Sequence, residues 1–426
     1  MTSFILFGSF VFLLIIGTPI AFCLGIASLL TVLYIGIPPL IVFQSMSAGV
    51  SVFVLMAIPF FIYAGDLMVR GEIASRLVGL AASLVGHFRG GLGQVNIAAS
   101  VLFGGISGSA VADASAIGGL MIPQMKEKGY DIEYAVDVTC LSALIALMIP
   151  PSQNMIIYSI SGGGKISIAD LFTAGILPGL LLAVALITVA WYVAKKRNYP
   201  TFPFAGWGNI GRTALNAIPG IMLIGIIFGG VRSGVFTATE SSCIAIVYAV
   251  LVTVFVYRSM GWREFVEATL GAVRTTAMVL LIIGSAAAFG WLLAYLRIPA
   301  QLIDYMQSLT HSPVLIFLLL NILMLFLGTF MDMAPLIIIT TPIFLPVVQS
   351  YGMDPVHFGV ILILNLGIGL CTPPVGTVLF VGCAVGKISL GRAMKMIWPF
   401  YFAAFAVLML VTYVPAISLW LPSVFR

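Results

Sequence analysis

Four short stretches place polar or helix-breaking residues inside apolar surroundings: GGISGSAVADASAIGG (104–119), IPPSQN (149–154), GTFMDMAP (328–335) and CTPPVGT (371–377). Proline removes a backbone donor and clashes with the preceding turn, and glycine lets the chain reverse where a side chain would not. A helix that stops leaves carbonyls unpaired at one end and amides at the other. Free carbonyls with Ser and Thr hydroxyls make a hard-oxygen cage suited to Na⁺, and exposed amides at half-helix starts favour a carboxylate. Pairing one turn with one double-proline break per half predicts two cation sites. The first uses Ser107, Gly108, Ser109, Pro150 and Asn154; the second uses Gly328, Thr329, Thr372, Pro373 and Thr377. Asp332, with no basic residue nearby in sequence, is predicted to serve as proton carrier, cation ligand or substrate acceptor. Its structural alternative is an N-cap for the arm starting at Met333. Asp113, in VADAS, stays open between a cap or hydrogen bond within its hairpin and a functional role.

Such breaks matter only at membrane depth, and the composition puts them there. Of 426 residues, 61% are hydrophobic and 8% charged, too few charges to coat a soluble protein of this size. Apolar runs at 4–34, 171–194, 236–257, 275–296 and 394–414 approach or exceed the ~20 residues that span a bilayer. The expected class is an all-α polytopic membrane protein, since short alternating barrel segments are missing from the sequence. The start, MTSFILFGSFVFLLIIG, lacks a basic leader and is expected to be a retained helix.

Tracing nine crossings with the amino terminus inside puts fifteen basic residues on inner connections, among them Lys195, Lys196, Arg197, Arg258 and Lys387. Four (Lys165, Arg232, Arg297 and Arg426) fall outside. This bias predicts a cytoplasmic amino terminus and a periplasmic carboxy terminus. Two segments, about 91–128 and 313–350, enter and leave on the same side. Residues 71–91 and 261–276 are expected to lie along the inner membrane surface.

At an offset of 223 residues, Gly105 meets Gly328, Pro123 meets Pro346, Asp131 meets Asp354, and Pro150–Pro151 meets Pro373–Pro374. Ser109 falls on Asp332 and becomes a candidate pocket residue. An odd number of crossings separates the copies, which predicts inverted repeats with ion and substrate sites at the breaks. The expected organisation is a first repeat over 1–194, with hairpin 1 at about 91–128 and a broken helix at 133–163. A cytoplasmic linker over 195–220 follows. The second repeat covers 221–426, with hairpin 2 at about 313–350 and a broken helix at 355–386.

Other polar residues read as structural. Thr237 and Glu240 suggest a capping box, and Asp66 with Arg70 an i,i+4 pair. Asn96, Asn321 and Asn365 suggest inter-helix hydrogen bonds. His87, His311 and His357 are expected at interfaces, solvated or capping, and the five cysteines form no metal or disulfide pattern. In GGGKIS (162–167) Ile166 replaces the Ser/Thr of a phosphate loop and the loop's first glycine would fall on Ser159, so an ion gradient is the expected energy source. An intramembrane protease would need paired aspartates or HExxH, and neither pattern is present. An ion or anion channel is the alternative function class; it would need a continuous polar path.

The segments FGGISGSAVADASAIGGLMIPQM (103–125), MIPPSQNMIIYSI (148–160), LGTFMDMAPLIIITTPIFLPV (327–347) and GLCTPPVGTVLF (369–380) together resemble the large membrane subunit of tripartite ATP-independent periplasmic (TRAP) transporters. The resemblance runs over nearly the whole chain. It implies an ion-transporter superfamily fold with a scaffold and a moving domain, working by an elevator motion in the bacterial inner membrane. It also implies Na⁺-coupled uptake of an organic acid, such as sialic acid or a C4-dicarboxylate. The implied partners are a small four-helix membrane subunit, here a separate polypeptide, and a periplasmic substrate-binding protein. By resemblance, Ser109, Ser152 and Asp332 correspond to substrate-pocket positions, and the two turn-and-break pairs to sodium sites. The three residues leave the choice of acid open: a hydroxyl-rich acid such as sialic acid fits them somewhat better, and an anionic Asp332 repels a second carboxylate unless it is protonated or paired with a cation.

Overall fold

The computed structural model describes residues 2–425, and among them every regular element is a helix. Arg426, counted above with the outer basic residues, lies outside the described residues. Six helices are long and apolar enough to cross a bilayer, and two bent pairs raise the number to eight. This differs from the nine expected crossings in identifiable places. The apolar run 4–34 is split at Gly17–Pro19 into Thr2–Ile15 and Ile20–Ile35, which pack against each other. The 355–386 crossing is divided by its break into Pro355–Leu370 and Thr377–Gly386. Conversely, the hairpin arm Met333–Ser350 is long enough to count by itself.

The expectation of a surface helix over 261–276 is corrected. That stretch is continuous with the apolar run behind it in one 34-residue helix, Trp262–Tyr295. At ~1.5 Å per residue it is about 51 Å long, more than a bilayer core needs. No proline interrupts it, and Glu264 accepts from the Gly261 amide at 3.1 Å to close its first turn. The 71–91 stretch does form its own helix, Ile73–Val85. The polar stretch after Arg197 is helical again from Trp207 onward, as Trp207–Arg232.

Both hairpins and both broken helices are present. Hairpin 1 consists of Gly91–Ser107 and Ala110–Glu127, and hairpin 2 of Pro313–Gly328 and Met333–Ser350. The first broken helix runs from Ile132 to Met148 and resumes as Gln153–Ser161, bent by 52°. The second stops at Leu370 and resumes at Thr377. The repeat offset holds at the element boundaries: 110 and 127 map onto 333 and 350, and 132 maps onto 355. Five spans lie between the two hairpins (the first broken helix, 168–197, 207–232, 238–256 and 262–295), so hairpin 2 starts from the face opposite to hairpin 1.

The broken helices sit at the centre. Every residue from Tyr134 to Ala143, and every residue from Val356 to Leu370, is buried, the polar Asp137, Thr139, Ser142, His357 and Asn365 included. Small residues allow the close crossings: a Cβ on Gly104 would sit 2.7 Å from Ala146 Cα. The hairpins, broken helices, Ile168–Arg197 and the last two helices pack mainly on each other. Most of the remaining helices form a second group, which meets the first chiefly where Ile73–Val85 lies on Gly91–Ser107 and Trp262–Tyr295 lies on Met333–Ser350, on which Ile298–Leu309 also packs.

Local polar readings divide. Thr237 and Glu240 do form a capping box, with bonds of 2.8 and 3.2 Å. The asparagines do bond between helices: Asn96 to Thr139 at 2.6 Å, Asn321 to Thr412 at 3.2 Å, and Asn365 to Asn321 at 2.8 Å. Arg70, expected to pair with Asp66, instead bonds Glu267 of the long helix at 2.9 Å. His357, expected at an interface, is buried with Nε2 3.3 Å from the Thr412 carbonyl. His87 packs on Phe88 and Phe204. At the other end of that connection the Tyr199 hydroxyl donates to Asp131 at 2.7 Å, and burial together with that carboxylate pushes the phenol's pKa up.

Candidate functional site

Each hairpin turn is pressed against the break of its own half. At the first, Gly108 has a φ of +57°, and a Cβ there would lie 2.6 Å from the Pro151 carbonyl oxygen and 3.2 Å from Ser152 Cα. The Pro150 carbonyl oxygen faces Gly105 in the same way, at 3.2 Å from a Cβ placed there. The Ser107 hydroxyl lies 3.5 Å from the Ser109 carbonyl and amide, and Asn154 starts the resumed helix opposite. The turn thus lies on the Pro150 and Pro151 carbonyls, and Ser109 and Asn154 line one cavity.

At the second, Gly328 and Gly369 touch backbone to backbone: a Cβ on Gly369 would be 2.7 Å from Gly328 Cα. The Val375 amide donates to the Thr329 carbonyl at 3.0 Å, tying turn to break. The Thr329 and Thr372 hydroxyls donate to Phe326 and Ile368 at 2.8 and 2.9 Å, which leaves their lone pairs free to accept a cation. Thr377 Oγ1 is buried and makes no hydrogen bond of normal length and angle. For Pro373 the structure shows its place in the break and no particular contact. Sequence reasoning missed Tyr401, whose hydroxyl donates to the Cys371 carbonyl released by this break. Its partner lies 30 residues away in the chain, and no local pattern signals it.

The two halves meet at a cavity of about 240 Å³. Ser109, Ala110 and Val111 line it from hairpin 1, Gln153, Asn154 and Ile157 from the first broken helix, and Asp332, Met333 and Ala334 from hairpin 2. Thr275 and Val279 of the long helix close one side. Three helix amino termini therefore converge on one space: those of Ala110–Glu127, Gln153–Ser161 and Met333–Ser350. Each presents unpaired amides and about half a positive charge. Asp332 holds the N-cap position of its helix without a capping bond of normal geometry, and it is exposed to the cavity. The Met333 amide and the Thr377 hydroxyl are its polar neighbours. No lysine, arginine or histidine is among the lining residues.

Of the three substrate positions, the structure brings Ser109 and Asp332 to this cavity. Ser152 is fully buried behind Gly108, with its Oγ unpartnered, and does not line it. Gln153 and Thr275 do line it and were not anticipated. Gln153 adjoins the break, which is a usable signal; Thr275 was hidden by the surface-helix reading of its segment. Asp113, left open from sequence, turns inward and accepts from Ser100 at 2.7 Å.

Paired re-entrant hairpins, paired broken helices and a cavity between them define a secondary-transporter fold. The crystal structure of the Alcanivorax borkumensis YdaH transporter shares it, with a TM-score of 0.63 over 87% of this chain and 86% of that one, at 12% identity. The chain belongs to the family described as tripartite ATP-independent periplasmic transporter, DctM component, which matches residues 7–417. Among its relatives, the sialic acid TRAP transporter large permease protein SiaM of Vibrio cholerae is 40% identical, over 90% of this chain and 89% of its own length. The C4-dicarboxylate TRAP transporter large permease protein DctM of Rhodobacter capsulatus is 36% identical over 99% of both. The protein is thus a polytopic permease subunit of a TRAP transporter and not an enzyme.

Proposed function

We propose that this subunit carries out Na⁺-coupled secondary uptake of an organic acid across the bacterial inner membrane, with Ser109 and Asp332 in the substrate pocket. The observation that carries this reading is the convergence of three helix amino termini on a cavity without a basic side chain. Such a space attracts an anion through backbone dipoles. Asp332 opposes it, so an added positive charge is needed, and the oxygen-rich turn-and-break pairs on either side are the natural places for Na⁺. The first pair offers Ser107, Gly108, Ser109, Pro150 and Asn154, and the second Gly328, Thr329, Thr372, Pro373 and Thr377. The hydroxyl and amide groups of Ser109, Gln153, Asn154 and Thr275 suit a hydroxyl-bearing acid of the sialic acid class; a C4-dicarboxylate is the second candidate.

In this proposal a periplasmic binding protein delivers the acid, and a small four-helix membrane subunit supports the permease. The amino terminus is cytoplasmic. The hairpin-bearing group of helices moves as an elevator against the other group, carrying the cavity with it. The channel alternative is not favoured: the polar groups gather at one cavity, and the chain's family is a transporter family. The test is uptake of a radiolabelled acid into proteoliposomes holding the full complex. Accumulation that follows an imposed Na⁺ gradient supports the reading. Uptake indifferent to Na⁺ refutes the coupling, and ohmic single-channel currents would replace the carrier with a pore.

A further inference from the structure

Hairpin 1 holds a buried polar ladder that the cavity and the cation sites do not use. Ser100 sits on the first arm, and its hydroxyl lies 2.7 Å from Asp113 Oδ2 on the second arm and 3.1 Å from Ser142 Oγ on the broken helix. One turn further, Ser142 Oγ lies 3.2 Å from Asn96 Oδ1, and Asn96 Nδ2 donates to Thr139 at 2.6 Å. Ser100, Asp113, Ser142, Asn96 and Thr139 are all fully buried. The ladder therefore ties both arms of the hairpin to the segment that runs into Pro150–Pro151. Asp113 stands one helical turn beyond Ser109, and its amide donates to the Ser109 carbonyl at 2.9 Å.

Hairpin 2 has no such brace between its arms among the described residues. Asn321 of its first arm bonds Asn365 and Thr412, while Thr341 of its second arm leaves a buried hydroxyl unpartnered. The tie from first arm to broken helix thus recurs, with Asn365 at the repeat position of Ser142, whereas the bond between the two arms through Ser100 and Asp113 is peculiar to the first half. Hydrogen bonds at this depth are strong because water does not compete, and a buried carboxylate left without its donor is costly.

We propose that Asp113 is a positioning residue. Through Ser100 it fixes the turn at Ser107–Ser109 against the carbonyls of Pro150 and Pro151, and so sets the Na⁺ affinity of the first cation site. This rests on the Na⁺-coupled reading above. The test uses the full complex in proteoliposomes, with uptake measured against external Na⁺ and the melting temperature of each purified variant. Asp113→Ala and the milder Ser100→Ala should raise the half-saturating Na⁺ concentration about tenfold. The rate at saturating Na⁺ should stay within about twofold, since the cavity groups are untouched. Asp113→Asn keeps an oxygen to accept from Ser100 and should restore Na⁺ dependence to within about threefold of the parent. An unchanged Na⁺ half-saturation in the alanine variants, with or without a fall in melting temperature, overturns the positioning role. So does an asparagine variant as impaired as alanine. Parent uptake that ignores Na⁺ overturns the coupling itself and this role with it.

Discussion

Gly108→Ala tests the contact on which the first proposed cation site depends. The residue lies in the left-handed region at φ +57°, which costs a side-chain-bearing residue about 1–2 kcal/mol. Its new Cβ would meet the Pro151 carbonyl oxygen at 2.6 Å, where ordinary contact begins at 3.4 Å, so turn and break must part by 3.4 − 2.6 = 0.8 Å. The neighbour is backbone on both sides, and overpacking of that kind costs about 1–3 kcal/mol. Hard-cation sites hold their oxygen distances to about 0.2 Å, so a displacement several times larger leaves the ion under-coordinated. A combined penalty of about 2–5 kcal/mol corresponds to a roughly 30- to 4,000-fold loss of affinity if all of it falls on the ion. The assay is uptake against external Na⁺ in proteoliposomes, with the melting temperature in parallel to catch any part of the strain borne by the fold. Gly119→Ala is the control: it lies in the same hairpin, and nothing is within 4 Å of its Cβ. If Gly108→Ala behaves like Gly119→Ala in both measurements, the turn is not pressed on the break and the cation site is misplaced.

Asp332→Ala should abolish uptake while leaving the protein folded, because the carboxylate faces the cavity; normal transport by that variant removes it from the site. Ser109→Ala should raise the half-saturating substrate concentration about five- to tenfold, one lost hydrogen bond, while Ser152→Ala, whose hydroxyl does not reach the cavity, should move it less than twofold. Equal effects on substrate affinity would show that both serines reach the ligand. Tyr401→Phe removes the donor to the Cys371 carbonyl and should cost about 1–2 kcal/mol of stability, read as a lower melting temperature; an unchanged value would mean water replaces the hydroxyl. With two cation sites and a singly charged acid, each cycle carries one net positive charge inward, so an inside-negative diffusion potential should speed uptake. Insensitivity to that potential argues against two cations per monoanion.

The parts legible in the sequence were those written in backbone chemistry. Gly108, Pro150–Pro151, Gly328 and Pro373–Pro374 dictate where a helix must turn or stop, whatever surrounds it, and the hairpins and breaks lie where those residues put them. The repeat was legible for the same reason, since glycines and prolines keep their spacing while apolar side chains exchange freely. What remained hidden depends on partners distant in the chain. Arg70 chose Glu267 over the nearby Asp66 because the long helix brings that carboxylate alongside. His357 became a core residue because the Thr412 carbonyl is presented to it. Thr275 reached the cavity because no breaker separates 261–276 from the apolar run behind it, and an amphipathic start does not by itself end a helix. Ser152 shows the converse: a polar residue beside a break need not face the cavity, because a 52° bend turns some side chains away from it.

The charge balance of the cavity explains why ion and substrate would travel together. Asp332 is the only charged residue among the lining groups, and a carboxylate guest adds a second negative charge in a space of about 240 Å³. Three helix termini at about half a charge each offset part of this, and one of them already carries Asp332 at its N-cap. Without cations the loaded cavity is left with a net negative charge in a weakly screening interior. A cation held at either turn-and-break pair lowers that repulsion, and the guest in turn strengthens the hold on the cation, because coupling between two binding events is reciprocal. Thr377 links the two events structurally, since its hydroxyl belongs to the second oxygen set and neighbours Asp332. In this proposal the carboxylate that makes the pocket hostile to a lone anion is what makes transport obligatorily coupled.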